Sequence, residues 1–154
     1  MLEKETIYIG ADHAGWELKE EVEKLLKSDG YNVVDMGNEN QVKNDDYPDF
    51  GHAVAKRVVT DKNSRGIVMC GNAQGICIVA NKVRGIRAAT GFNTYAAETS
   101  RTDDNSNILC LPGRVLETKE ALNIVRKWLA SPFSGEDRHI RRLKKLEEIE
   151  SSEF

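Results

Sequence analysis

The sequence lacks the features that mark several large classes of protein. Its formal net charge is −3, so no general basic field is available to attract nucleic acid. No apolar run is long enough to span a bilayer, and the charged stretch from Glu3 to Glu5 predicts no secretion signal. Internal repeats and low-complexity linkers are also missing. These absences predict a protein with neither a nucleic-acid partner nor a membrane partner.

Cysteine is scarce and irregularly spaced. The chain has three cysteines, an odd number, which lie in or beside apolar runs. This pattern argues against a disulfide framework and favours reduced thiols in the cytoplasm. No pair of cysteines has the spacing of zinc ligands, so no metal site is expected. With 154 residues, the chain is predicted to form one domain over residues 1–154.

Short apolar runs alternate with amphipathic segments along the chain. The runs predict five strands, over residues 6–11, 32–36, 67–70, 86–90 and 107–111. The amphipathic segments predict helices that begin near residues 16, 47, 76, 94 and 118, and a charged helix over about 136–150. This order predicts an α/β fold, a Rossmann- or flavodoxin-like three-layer αβα sandwich with a five-stranded parallel sheet and an extended C-terminal helix. The last helix has only a narrow apolar stripe, so we expect it at a subunit interface.

The stretch from Ile67 to Ala80 combines a strand, a glycine-bounded loop and the start of a helix. Backbone N–H groups at such a junction converge on one point and favour a bound anion. Cys70 is the last residue before the loop, so a thiol lies at the edge of this anion cradle. The alternative is an ordinary tight turn beside a buried cysteine, since free cysteine is among the most buried residue types.

Polar residues also follow the first and fifth strands, where parallel sheets bind ligands. Asp12 and His13 follow the first strand, and Arg114 follows the fifth. An Asp–His pair can position a hydroxyl group and hold an imidazole in one tautomer. The alternative is an aspartate that caps its loop beside an incidental histidine.

A basic cluster extends from Arg138 to Arg142 in the last predicted helix. Its end residues are four apart and therefore share one helix face. Two guanidinium groups on one face can hold a phosphate bidentately. The alternative is a solvated face balanced by the acidic residues Glu147, Glu148 and Glu150.

Seven motifs occur in the order found in type B ribose-5-phosphate isomerases, and the chain resembles this family over nearly its whole length. The motifs are ADHAG at 11–15, YPDF at 47–50, CGNAQG at 70–75, ANKVRGIRAA at 80–89, NIL at 107–109, GR at 113–114 and RHIRR at 138–142. The run at 80–89 is highly specific. Galactose-6-phosphate isomerase subunits and relatives that act on allose 6-phosphate share this framework.

The resemblance implies an aldose–ketose isomerase that interconverts ribose 5-phosphate and ribulose 5-phosphate through an enediolate, without a metal or an organic cofactor. By this resemblance Cys70 moves a proton between C1 and C2, and Asn72 and Asp103 are further catalytic residues. The implied substrate-binding residues are Asp12, His13, Tyr47, Gly71, Ala73, Gln74, Gly75, Asp104, Arg114, Arg138, His139 and Arg142, of which the loop residues hold the oxyanion and the last four positions hold the phosphate.

The resemblance also implies a homodimer or homotetramer in which each pocket draws residues from two subunits. Two alternatives remain for the activity. One is an isomerase of another sugar phosphate, such as a hexose 6-phosphate. The other is a catalytically weakened subunit that binds a sugar phosphate and works with a paralogue.

The first departure from the family pattern lies in the loop. Relatives read Cys-Gly-Thr-Gly where this chain reads Cys70-Gly71-Asn72-Ala73. Asn72 can still donate and accept hydrogen bonds. Ala73 is strained only if its position requires a positive φ.

The second departure concerns ring opening. Relatives carry a histidine, credited with this step, where the chain has Asp103, and Asp104 replaces the asparagine that follows. An aspartate accepts a proton readily but is a poor donor at neutral pH. Because two close carboxylates cannot both ionise easily, we hypothesise that Asp103 and Asp104 form an acid–base pair. His13 is the alternative ring opener.

Overall fold

The structure is a computed structural model that describes residues 4–153. Its strands are β1 (Thr6–Ala11), β2 (Asn32–Asp35), β3 (Ser64–Cys70), β4 (Ala88–Thr90) and β5 (Ile108–Pro112). Its helices are α1 (Trp16–Ser28), α2 (Tyr47–Thr60), α3 (Gln74–Ala80), α4 (Thr94–Thr102), α5 (Thr118–Ala130) and α6 (Asp137–Glu153). None of these helices is both long enough and apolar enough to cross a membrane.

The five strands form one parallel sheet in the order β2-β1-β3-β5-β4. The chain leaves β1 toward β2 on one side and later returns to place β3 on the other side. The strand order therefore reverses between β1 and β3, and the carboxyl ends of all strands lie on one edge. This arrangement confirms the predicted five-stranded parallel α/β fold.

Helices cover both faces of the sheet. On one face α1, α4 and α5 pack against strand residues such as Ile9 and Leu109. On the other face α2 and α3 pack against Tyr8 and Ile108. Neighbouring strand residues thus face opposite layers, as the pleat requires. Each fully buried aliphatic side chain contributes about 1.5–3 kcal/mol to the stability of this core.

The observed elements differ from the predicted ones by up to three residues at their ends. The third strand starts at Ser64 rather than residue 67. The fourth strand starts at Ala88 rather than residue 86, because the Arg87 backbone N–H donates to the Asn107 side chain at 2.7 Å. The last helix continues to Glu153, beyond the predicted end near residue 150.

Helix α6 leaves much of its apolar stripe in solvent. Ile140, Leu146 and Ile149 are 49%, 49% and 57% exposed. One contact between α6 and the body of the chain is a hydrogen bond from the Gly85 N–H to Glu150 Oε1, at 2.8 Å. The stripe is therefore available to another surface.

Helix α3 starts after a residue with an unusual backbone. Ala73 has φ 66° and ψ −12°, in the left-handed region, and its side chain is fully buried. This conformation costs a residue other than glycine about 1–2 kcal/mol. Position 73 thus has the positive φ at which alanine is strained.

We expect Ala73→Gly to change the free energy of unfolding by less than about 1 kcal/mol. Relief of the left-handed strain should offset the lost methyl burial and the more flexible unfolded chain. Ala55→Gly is the matched control, because Ala55 is equally buried but lies within the right-handed α2. The control should lose about 1.5 kcal/mol, as measured by urea denaturation. Equal losses in both variants would contradict the strain at Ala73.

Candidate active site

A cavity of about 370 Å³ opens at the carboxyl edge of the sheet, where the strand order reverses. Its lining comes from the loops after β1, β3 and β5 and from the first turns of α2 and α3. The lining residues are Asp12, His13, Ala14, Tyr47, Cys70, Gly71, Asn72, Gly75, Arg114 and Val115. All of them except Ala14 and Val115 are residues that the sequence predicts for the site.

Close approach of backbone to backbone fixes the walls of this cavity. The Gly113 N–H donates to the carbonyl oxygen of Cys70 at 2.8 Å. A Cβ added to Gly15 would lie 2.5 Å from the carbonyl group of Met69, at the end of β3. A Cβ on Gly113 would lie 2.7 Å from the Ala14 carbonyl oxygen. Glycine is therefore needed at both positions for lack of space.

Cys70 ends β3 and lines the cavity with only 3% of its surface exposed. Its Sγ lies 4.0 Å from Oδ1 of Asn72. The same oxygen accepts a hydrogen bond from the Gln74 backbone N–H at 3.1 Å. Asn72 therefore orders the start of α3 and also touches the thiol.

The loop offers fewer oxyanion donors than expected from its length. Ala73 packs in the core, and the Gln74 N–H is already bonded to Asn72, so neither residue lines the cavity. The expectation that both residues bind substrate stays a prediction. The N–H groups of Gly71, Asn72, Ala73 and Gly75 form no hydrogen bond with any of residues 4–153 and remain available to a ligand.

The two other thiols lie near Cys70 but outside the cavity lining. Burial raises the pKa of the Cys110 thiol well above its usual value, so this thiol stays protonated. A hydrogen bond with Cys110 lowers the pKa of the Cys77 thiol, although burial opposes the change. Of the three thiols, that of Cys70 lines the cavity, so it is the one that can contact a ligand there.

Asp12 is buried beneath the cavity and caps its own loop. Its Oδ1 accepts hydrogen bonds from the N–H groups of Ala14 and Gly15, at 3.0 and 3.1 Å. The alternative reading of Asp12 as a loop cap is thus correct, while its carboxylate also lines the cavity. The expected pairing of Asp12 with the His13 imidazole is not formed.

The carboxylate that holds His13 is Asp45, from the loop after β2. Asp45 Oδ1 accepts the His13 backbone N–H at 2.8 Å and lies 2.9 Å from Nδ1 of the ring. Asn38 Nδ2 donates to the other oxygen of Asp45 at 2.9 Å. Sequence reasoning missed Asp45 and Asn38, because 32 residues separate Asp45 from His13. The contact could have been sought from the strand order, because β1 and β2 are neighbours and the loops after them lie at the same edge of the sheet.

Tyr47 and Arg114 complete the lining. The Tyr47 ring lies over Gly75, where an added Cβ would be 2.5 Å from a ring carbon. Arg114 donates its backbone N–H to the Gly71 carbonyl at 3.0 Å and leaves its side chain exposed. The Arg114 guanidinium brings positive charge to the mouth of the cavity.

Asp103 lies at the opposite edge of the sheet from Cys70. Helix α4 returns the chain to the amino edge, where Asn107 accepts the Gly66 N–H at 2.9 Å just before β5. Cys70 is instead paired with Pro112 at the other end of β5. Five residues of strand span about 17 Å. Asp103 and Cys70 therefore do not share a site within one chain.

Asp103 belongs to a second cluster, near the start of α6. The Thr102 hydroxyl donates to Asp103 Oδ1 at 2.8 Å, and the same oxygen lies 3.7 Å from His139 Nε2. Arg138 Nε donates to His139 Nε2 at 3.3 Å, and Ser134 Oγ lies 2.7 Å from the other ring nitrogen. One chain thus gathers three predicted site residues here, outside the cavity.

Asp104 and Arg142 belong to neither group. Asp104 is exposed and lines a second cavity of about 380 Å³, between α6 and residues 81–89. Arg142 is exposed on α6. The Asp103 side chain is 45% exposed and accepts a hydrogen bond from Thr102, so the acid–base pair with Asp104 stays a prediction.

The one group of carboxylates within residues 4–153 that is close enough to share a metal ion is Glu20, Glu23 and Asp35. The fully buried Lys19 amine occupies this group, 2.5 Å from Asp35 Oδ2 and 3.0 Å from Glu20 Oε1. The cluster does not line the active-site cavity. It neutralises a buried amine.

Comparison with known proteins gives a family and close structural relatives. The model of the Ribose/Galactose Isomerase family matches residues 7–146. The ribose-5-phosphate isomerase B of Mycobacterium tuberculosis is 40% identical over 144 residues, which cover 94% of this chain and 89% of that protein.

Two solved structures superpose on nearly the whole chain. Ribose-5-phosphate isomerase B of Clostridium thermocellum has a TM-score of 0.92 and 47% identity, covering 96% of this chain and 98% of that one. Ribose-5-phosphate isomerase B of Mycoplasma genitalium with bound ribulose-5-phosphate has a TM-score of 0.93 and 38% identity, covering 97% and 99%. Because the family model and these relatives span nearly all of the fold and its cavity, the chain belongs to the Ribose/Galactose Isomerase family.

Proposed function

We propose that this protein interconverts ribose 5-phosphate and ribulose 5-phosphate through an enediolate. The observation that carries the proposal is the meeting of the Cys70 thiol, free backbone N–H groups and the Asp12 and His13 side chains in one cavity. The similarity to proteins named ribose-5-phosphate isomerase B supports this choice of substrate.

Cys70 is the proposed base. It would take the proton from C2 of the aldose and return it to C1, so that one group serves both half-reactions. Asn72 touches the sulfur and would keep the thiol aimed at the substrate. Asp12, His13 and Tyr47 would hold the sugar in front of it, since all three line the same cavity.

The enediolate carries negative charge that must be stabilised as it develops. The N–H groups of Gly71, Asn72 and Gly75 are unbonded donors of residues that line the cavity, and the backbone of the loop would hold them in place. Preorganised donors of this kind lower the barrier without reorganisation during the reaction. The proposed chemistry uses only such backbone groups and side chains of the protein.

A second copy of the chain would complete the site. The cluster of Asp103, Arg138 and His139 lies at the wrong edge of the sheet to reach its own cavity, and Arg142 is exposed nearby on α6. The exposed apolar stripe of α6 offers a surface for association. We infer a homodimer or homotetramer in which these residues approach the cavity of the other copy. Arg114 of one copy and the arginines of the other would then hold the phosphate.

The proposed location is the cytoplasm. Cys70, Cys77 and Cys110 are all free thiols. Such thiols stay reduced in that compartment.

We expect Cys70→Ala to lower kcat for isomerisation by about a hundredfold to ten-thousandfold, because the proton-transfer group is lost. The assay incubates each purified protein with ribose 5-phosphate and follows formation of the ketose. The parent protein should form ketose at a rate well above that of buffer. Binding of sugar phosphate should be nearly unchanged in the variant, and its melting temperature should fall no more than that of another variant that loses a buried thiol.

Cys110→Ala is the matched control for the loss of a thiol. Cys110 is fully buried and lies outside the cavity lining, so its removal should cost stability but leave kcat within about threefold. If the Cys70→Ala variant were as active as this control, the base would have to be another residue. A parent protein that forms no ketose would refute the proposed substrate.

Mixing two inactive variants should restore activity if each site draws on two chains. Cys70→Ala removes the proposed base from the cavity, and Arg142→Ala should nearly abolish activity by removing a proposed phosphate ligand on α6. Random pairing of equal amounts as dimers should give about a quarter of the parent activity, because half of the dimers would be mixed and each would hold one intact site. Activity after mixing is measured on protein first dissociated and then reassociated. No recovery, or a monomer in light scattering at micromolar concentration, would contradict the shared site.

A further inference from the structure

His13 is held by two hydrogen bonds to one carboxylate oxygen. Asp45 Oδ1 accepts the backbone N–H of His13 at 2.8 Å and lies 2.9 Å from Nδ1 of its ring. Two bonds from one residue to one acceptor fix both the position of the loop and the rotation of the imidazole. The Asp45 side chain is only 10% exposed, so this contact is largely protected from water.

Asp45 is in turn held from behind. Asn38 Nδ2 donates to Asp45 Oδ2 at 2.9 Å, and the Asn38 carbonyl accepts the Trp16 indole N–H at 3.0 Å. Gln41 Nε2 donates to the His13 carbonyl at 2.8 Å. The loop after β2 and the start of α1 therefore build a support for one imidazole ring.

The support determines which ring nitrogen carries the proton. A carboxylate can only accept, so Nδ1 must donate and carry the hydrogen. Nε2 is then an unprotonated acceptor in the neutral ring. It forms no hydrogen bond with any of residues 4–153, and the ring, 31% exposed, lines the same cavity as Cys70.

Opening of a furanose requires a proton to move between two oxygens on one carbon. The hydroxyl on C1 loses a proton as C1=O forms, the bond from C1 to the ring oxygen breaks, and the ring oxygen gains a proton. No oxidant or reductant is needed. The group that relays this proton must lie beside C1, the carbon at which Cys70 also works.

We propose that His13 is the catalytic residue for ring opening and that Asp45 is its positioning residue. The inference rests on the proposed isomerase function and assigns the step to His13 rather than Asp103. Nε2 takes the proton from the C1 hydroxyl and delivers it to the ring oxygen. The Asp45 carboxylate stabilises the imidazolium formed between the two transfers.

The geometry favours His13 over Asp103 for two reasons. His13 lines the cavity of Cys70 within one chain, whereas Asp103 could approach such a cavity only from a second copy. An imidazole can both accept and donate a proton near neutral pH, whereas an exposed carboxylate is a poor donor there.

Ring opening can be measured without isomerisation in the Cys70→Ala background. Ribose 5-phosphate exchanges between its two furanose anomers only through the open chain, so NMR exchange spectroscopy reports ring opening directly. The Cys70→Ala protein should speed this exchange relative to buffer. Adding His13→Gln should return the exchange to the buffer rate, and adding Asp45→Asn should slow it at least about tenfold.

Two further variants separate positioning from general damage. Asp45→Glu keeps an acceptor of the same charge and should restore part of the lost exchange. Asp46→Asn removes a charge from the next residue, whose side chain makes no cap hydrogen bond, and should leave the exchange within about twofold of the background. Phosphorus NMR titration and thermal melting check that each variant still folds and binds ribose 5-phosphate.

Three results would overturn the inference. The first is an exchange that Cys70→Ala does not accelerate, and the second is an acceleration that survives His13→Gln or Asp45→Asn in folded, binding protein. The third is an acceleration lost in Asp103→Asn but kept in His13→Gln. Failure of the parent protein to form ketose would refute the proposed function separately, because anomer exchange is read without isomerisation.

Discussion

Two backbone hydrogen bonds between adjacent strand ends determine the form of the site. The N–H groups of Gly113 and Arg114 donate to the carbonyls of Cys70 and Gly71, so the loops after β3 and β5 are joined into one unit. The loop after β1 packs onto this unit because Gly15 has no side chain. The thiol and the free N–H donors are thus placed by backbone contacts rather than by long side chains. Such a support gives the small positional freedom that a catalytic site requires.

The direction of the helices explains why the predicted residues separate into two groups. In a parallel sheet each connecting helix carries the chain from the carboxyl edge back to the amino edge. Residues that follow strands, such as Cys70 and His13, therefore meet at one edge, whereas Asp103, which follows a helix, lies at the other. Two residues that are close in the sequence can lie at opposite edges of the sheet, because successive strands and helices carry the chain back and forth between those edges. A residue of one group can contact a residue of the other group only if the two residues belong to different copies of the chain.

The sequence was sufficient for features that depend on local pattern. Alternating apolar runs predicted the parallel sheet, and the position of Cys70 after a strand predicted its place at the ligand edge. The Asp45–His13 contact could not be predicted in this way, because it depends on how the loops after two neighbouring strands fold over each other. The hydrogen bond from the Gln74 N–H to the Asn72 side chain could not be predicted either, because spacing does not reveal which side chain binds a backbone N–H. The strain at Ala73 needed an actual φ angle, which residue identity alone does not supply.

In the proposed dimer or tetramer, the exposed stripe on α6 would link the behaviour of this protein to its concentration. A chain that buries Ile140, Leu146 and Ile149 only against another copy gains that free energy only when copies meet. Dilution of the proposed assembly would then remove stability and one half of each site together, although no covalent bond has changed. Melting temperature and specific activity would both rise with protein concentration until association is complete. The concentration of the chain would in this sense set the amount of the proposed working assembly.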